Sequence, residues 1–147
     1  MSIAAGELIV VLNDDVDVTD REWSGLVKEI QAGAALHQGR FDRVFVLVAS
    51  DGGLPTSAQR TYLSQVLGGQ RLRASVLSGS MRVRLGSQFI RWFARDLGFF
   101  GPDEAGAWLE HIPIQPAERP GVRREILALQ RTMRTRMVTQ IEPWLAV

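Results

Sequence analysis

The sequence predicts an α/β protein: a four- or five-stranded, mainly parallel sheet with flanking helices, extended by a long C-terminal helix. Three observations predict it. Short aliphatic and β-branched runs, LIVVL at 8–12, VFVLV at 44–48 and LRASVL at 72–77, alternate with longer segments of helical spacing. Two of those helical segments open on a Thr followed three residues later by Glu or Gln, the pattern of a capping box. The prolines and the glycine pairs at 52–53 and 68–69 fall outside these strand runs.

Residues 8–12 form the first predicted buried strand, which ends in an acidic loop at 13–17. Thr19 and Glu22 cap a helix whose Trp23, Leu26, Val27, Ile30 and Ala34 make one apolar stripe. Val44, Phe45, Val46, Leu47 and Val48 are a continuous apolar run, as expected of a strand covered on both faces. Ser50, Asp51, Gly52 and Gly53 turn the chain, Pro55 stops the strand, and Thr56 with Gln59 caps a helix over 57–67. Tyr62, Leu63, Val66 and Leu67 are its predicted inward residues, with Gly68 and Gly69 closing it. A third strand spans 72–77. Ser78, Gly79 and Ser80 then lead a helix over about 81–96, ended by Gly98, with Phe99 and Phe100 as a short fourth strand. Gly101 and Pro102 start a helix carrying Ala105, Trp108 and Leu109. Strands alternating with helices imply parallel pairing through right-handed crossovers.

The resulting organisation is an α/β domain over residues 1–112, a Pro-rich linker at 113–119 and an amphipathic helix over 120–147. In that helix Val122, Ile126, Leu129, Met133, Met137 and Ile141 step by three or four, with Arg124, Arg131 and Arg134 off the stripe. Such a helix suits a second copy of the chain, a partner helix or its own domain better than a membrane surface.

A chain of 147 residues, 46% hydrophobic, supports one well-buried core. A net charge of +1 does not announce a nucleic-acid partner, although Lys28 is the only lysine and the other sixteen basic residues are arginines. The chain has no cysteine, so disulfides, thiolate metal sites and cysteine nucleophiles are excluded. The opening residues lack a basic stretch ahead of their short apolar run, and no segment reaches a membrane-spanning length, so a cytoplasmic protein is expected. No cofactor or metal is expected. His37 and His111 lack neighbours at ligand spacing, and no serine sits in a nucleophile elbow.

The opening LIVVLNDDVDVTDREW, the central VFVLVASDGG with PTSAQR leading the next helix, and the later RASVLSGSMRVR and FFGPDEAGAWLE resemble the SpoIIAA-like, or STAS, superfamily of small bacterial proteins, over about residues 6–112. The resemblance implies a bacterial regulatory module that docks another protein and is switched by phosphorylation at the start of the helix after the central strand. That corner is usually Asp-Ser-Ser-Gly or Asp-Ser-Thr-Gly in the family. Here it reads Ser50-Asp51-Gly52-Gly53, which moves the hydroxyls to Thr56 and Ser57.

The expected site is therefore a partner-binding one with no catalytic residue. It comprises Ser50, Asp51, Gly52, Gly53, Thr56, Ser57 and Arg60, joined by Ser78, Ser80 and Arg82 of the neighbouring turn, with Thr56 or Ser57 as phosphoacceptor. The partner is another protein or a second copy in a homodimer. Two other readings compete with it. Asp15 and Asp17 stand in the Asp-x-Asp-x-Thr arrangement of haloacid-dehalogenase-like Mg²⁺-dependent phosphohydrolases, although no lysine follows Ser50 and Asp96, Asp103 and Glu104 do not complete a metal site. A small-anion or lipid sensor would use backbone amides of the two glycine turns with Arg60, Arg82 and Arg84.

Overall fold

A computed structural model describes residues 2–4, 8–80, 83, 93–101, 103–111 and 117–132. The chain runs β1 (Ser2–Ala4), β2 (Leu8–Asn13), α1 (Asp20–Ala35), a 3₁₀ turn (Phe41–Arg43), β3 (Phe45–Ser50), α2 (Ser57–Leu67), β4 (Leu72–Leu77), β5 (Ala94–Phe100), α3 (Ala105–Glu110) and α4 (Arg119–Thr132). The strands form one five-stranded sheet in the order β1-β2-β3-β4-β5. β2 to β5 are parallel, and β1 joins the outer edge of β2 antiparallel, with Ile3 opposite Val11. The short N-terminal strand is an addition to the predicted elements.

Strand order and helix placement follow from one another. Each parallel strand lies beside the next in sequence, so crossovers of one hand lay their helices on the same face. That face carries Ile9, Val11, Val44, Val46 and Ala74, packed against Trp23, Val27 and Ile30 of α1 and Leu63 and Leu67 of α2. The other face receives no helix from those crossovers and must be covered by later chain. Trp108 and Leu109 of α3 and Ile126 of α4 cover Val10, Leu12, Leu47, Ala49 and Leu77 there. β3 is thus covered on both sides, as its unbroken apolar run requires.

The helices begin where their caps dictate. Thr19 accepts from the Glu22 backbone N–H at 3.2 Å while the Glu22 carboxylate accepts from the Thr19 N–H at 3.0 Å. Thr56 and Gln59 repeat this at 3.1 and 2.9 Å. Gly68 closes α2 in the left-handed region at φ 56°, which glycine adopts without strain.

Three expectations need correction. β5 begins at Ala94, so the helix expected to reach Asp96 ends earlier and the fourth strand is seven residues long. Gly98 lies within that strand rather than ending a helix; a Cβ there would stand 2.7 Å from the His111 ring, so its place is set by close packing. Tyr62 is 46% exposed, because the buried stripe of α2 runs through Gln59, Leu63 and Leu67 and position 62 falls off it. Within the helix predicted over 81–96, Val83 is helical and buried; its other residues up to 92, like residues 133–147 of the terminal helix and most of the linker, lie outside the described residues. No described helix is long and apolar enough to cross a membrane.

Candidate functional site

The C-terminal ends of β2, β3 and β4 carry three loops at 13–19, 51–56 and 78–80, and these are bonded into one surface. Asn13 and Ser50 are register partners at the ends of β2 and β3. Past them the ladder continues irregularly: the Asp51 N–H donates to the Asn13 carbonyl at 3.0 Å and the Gly53 N–H to the Asp14 carbonyl at 2.9 Å. The Asn13 amide nitrogen donates to the Gly53 carbonyl at 2.8 Å, and the Leu54 N–H donates to the Asp17 carboxylate at 3.2 Å. The β4 loop is tied in by the Ser78 hydroxyl, which donates to the Ser50 carbonyl at 2.6 Å, and by the Ser80 N–H, which donates to Ser78 Oγ at 3.1 Å.

The two glycines have different reasons for being there. Gly52 has φ 146°, a conformation that residues with a side chain rarely adopt, whereas a Cβ there would meet Ser80 Oγ and Asp15 only at ordinary contact distances of 3.5 and 3.9 Å. Gly53 is required by closeness alone: a Cβ would lie 2.2 Å from the Val16 carbonyl oxygen and 2.7 Å from the Asn13 amide.

The structure thus brings the 50–53 corner and the 78–80 turn together, as the sequence reading required, and adds the acidic loop to them. It also divides the expected site residues by role. Ser50, Gly52, Gly53 and Ser78 are buried and build the corner from within. Asp15, Val16, Asp17, Thr56 and Ser57 are exposed at its rim, with Val16 63% exposed. Asp51 and Ser80 are half-buried. Arg60 is half-buried on the first turn of α2, where its Nη1 donates to the Pro55 carbonyl at 3.3 Å. Arg82 and Arg84 lie outside the described residues.

The rim hydroxyls are not equivalent. Thr56 Oγ1 is engaged in the α2 capping box, whereas the Ser57 hydroxyl makes no hydrogen bond among the described residues and sits at the first helical position. Two carboxylates of the acidic loop are committed to backbone structure, Asp14 accepting from the Val16 N–H at 3.0 Å and Asp17 from the Leu54 N–H at 3.2 Å, and Asp20 at the start of α1 accepts from the Gln59 side-chain amide at 2.8 Å. Among the described residues no three His, Cys, Asp or Glu side chains gather as metal ligands would.

Sequence reasoning missed Asn13 and Gln59 as architects of the site. Both are polar and only 5% exposed, and both reach across to another element. A polar residue closing an apolar strand, like Asn13 after LIVVL, is the signal that was present for the first. Gln59 was legible only as half of a capping box. Comparison with family models, with curated proteins and with solved structures gives no match for this chain.

Proposed function

We propose that this chain is a non-enzymatic, regulatory protein-interaction module of STAS-like type that docks a partner protein through the corner at 50–60. The observation that supports it most is the fusion of three strand-end loops into one cross-bonded surface with Val16, a large apolar side chain, exposed between Asp15 and Asp17. A rigid surface of this kind loses little conformational entropy on docking, and an apolar tip ringed by charge suits a partner with a small apolar pocket and a basic rim. Ser57 is the better phosphoacceptor, because its hydroxyl is exposed and a phosphate there meets the positive end of α2. The phosphohydrolase reading has less support, since Asp17 is bonded to the corner backbone and no third ligand stands nearby among the described residues. Val122, Ile126 and Leu129 of α4 pack in the core on the other side of the sheet, so the proposed docking is assigned to the corner.

The test is affinity capture from native cell extract with three forms of the full chain: wild type, Val16→Asp, and Leu36→Asp. Leu36 is 67% exposed at the far end of α1, and its change serves as the control. A protein retained by wild type and Leu36→Asp but lost from a folded Val16→Asp supports the reading. Retention by all three forms contradicts it.

A further inference from the structure

Val48 stands on the central strand, yet it is only half-buried. Its register partners on the flanking strands, Val11 and Val76, are 3% and 1% exposed. Val48 is open to a partly open cavity of about 130 Å³ between α1, α2 and this face of the sheet. Ala74 helps to make the space: it lies between Leu72 and Val76 on the same side of β4, beside Val46, where a larger aliphatic residue would fill the layer. The walls are apolar and their polar groups are engaged elsewhere. Trp23, Ile30 and Leu63 line it from the helices, with the Trp23 N–H given to the Gln59 carbonyl. Other polar side chains enter the lining only at Asn13, Ser50 and Arg60 among the described residues. The Asn13 amide nitrogen is bonded to the Gly53 carbonyl at 2.8 Å, the Ser50 hydroxyl accepts from the Gly52 N–H at 3.3 Å, and Arg60 is held at the Pro55 carbonyl and by further partners. The Asn13 side-chain oxygen has no such partner among the described residues, but it is buried and offers almost no surface.

We propose that this cavity binds a small neutral apolar molecule, a single aromatic ring or a compact hydrocarbon chain with no charged or hydrogen-bonding head. Protein interiors hold few voids larger than a water molecule, and one without polar walls stays dry. A dry apolar cavity of roughly 150 Å³ accepts benzene or xenon, so the volume here sets a ligand of about benzene size. A charge carried into it would be desolvated with nothing to pair it. Gly53, Leu54 and Pro55 complete the lining, so the ligand lies directly beneath the corner loop. The inference is independent of the docking reading, since it concerns the space under the corner and not its rim.

The experiment is a heteronuclear NMR titration of the full chain, with thermal unfolding in parallel, using benzene, toluene, phenol and benzoate as probes. Benzene and toluene shift the methyl resonances of Val46, Val48 and Leu63 and the amide resonances of Gly53 and Leu54 in a saturable way. Both raise the melting temperature through preferential binding to the folded chain. Phenol binds no tighter than benzene, and benzoate, the same ring with a charge, binds at least about tenfold more weakly. Ala74→Leu, or the smaller Ala74→Val if the first fails to fold, fills the cavity and weakens benzene and toluene about tenfold. The proposal is overturned by shifts confined to surface residues, by no shift at millimolar toluene, or by benzene binding undiminished in a folded Ala74 variant. Benzoate binding as tightly as benzene overturns the neutral ligand, and phenol binding tenfold tighter than benzene overturns the headless one.

Discussion

The indole N–H of Trp23 donates to the backbone carbonyl of Gln59 at 2.7 Å, and both residues are more than nine-tenths buried. The bond joins the first turns of two helices 36 residues apart in sequence. Gln59 answers with its amide, which donates to the Val18 carbonyl at 2.9 Å and to Asp20 at 2.8 Å. One glutamine thus closes its own capping box and fixes the start of the neighbouring helix, so the loops leading into α1 and α2 are held as one piece beside the candidate site.

Trp23→Phe keeps the ring and removes the donor, so the Gln59 carbonyl loses the bond from the indole and keeps its place in the α2 ladder. The expected cost is about 0.5–1.5 kcal/mol, that of one hydrogen bond. Gln59→Leu costs more, because it removes the cap contact and both bonds to the 18–20 segment. Urea denaturation of the two variants checks the order.

Glycine-to-alanine changes separate the corner from the helices. Gly53→Ala forces a methyl group into the Val16 carbonyl, and since both contacts belong to tied loops the structure has little room to yield. A loss of about 1–3 kcal/mol is expected, with amide shifts concentrated at 13–17. Gly25→Ala has the opposite sign. Nothing lies within 4 Å of a Cβ there, and the residue is inside α1, so alanine stabilises by roughly 0.5–1 kcal/mol.

On the other face Ser75 and Trp108 exchange two bonds: the serine hydroxyl donates to the Trp108 carbonyl at 2.8 Å and the indole N–H donates to the Ser75 carbonyl at 3.0 Å. Both residues are fully buried. Trp108→Ala is expected to cost about 3–5 kcal/mol through the void it leaves, and Ser75→Ala about 1–3 kcal/mol. Thermal unfolding followed by circular dichroism distinguishes them.

A chain ended at Gln115 loses α4 and with it Ile126, which is completely buried against the sheet. Exposed Val10, Leu12 and Leu47 then form an apolar face on a protein of this size, and the truncated chain is expected to unfold or aggregate rather than remain a folded monomer. Light scattering with circular dichroism on both lengths reads this directly. A folded, monomeric truncation would show α4 to be dispensable for the core.

The Arg40 guanidinium grips the Asp42 carboxylate with bonds of 3.2 and 2.8 Å and holds its pKa below the ordinary 3.8, against an opposing desolvation effect. A depressed carboxylate pKa stabilises the folded chain above the unfolded value, and that contribution fades as the pH falls through the folded one. Because the pair is exposed, Asp42→Asn is expected to leave the unfolding midpoint at neutral pH nearly unchanged. An NMR titration of the Asp42 side chain should still show the lowered midpoint.

Much of the fold was legible because local signals agreed with one another. α2 and β4 begin and end where the capping box, the closing glycine and the apolar run place them. The stripe of α1 is buried at every residue predicted, from Trp23 to Ala34. The start of β5 was not legible. Phe93, Ala94, Arg95 and Asp96 continue the helical spacing before them, and only pairing with β4, Leu72 beside Ala94, makes the segment a strand. Gly98 misled for the same reason: a glycine needed for close approach to His111 reads in one dimension like a helix stop.

The candidate site divides along the same line. Its turns, caps and hydroxyls are local properties, fixed by residues a few positions apart, and the sequence alone determined them. Which turns meet, and which of their residues face outward, depended on the sheet. Parallel strands in consecutive order set the loops after β2, β3 and β4 side by side, burying Ser50 and Ser78 and leaving Val16 and Ser57 outside. That order also lays α1 and α2 on one face and leaves the other bare, so the apolar stripe of α4 is claimed by its own sheet. An amphipathic pattern states that a face must be covered; only the long-range arrangement of the chain decides what covers it.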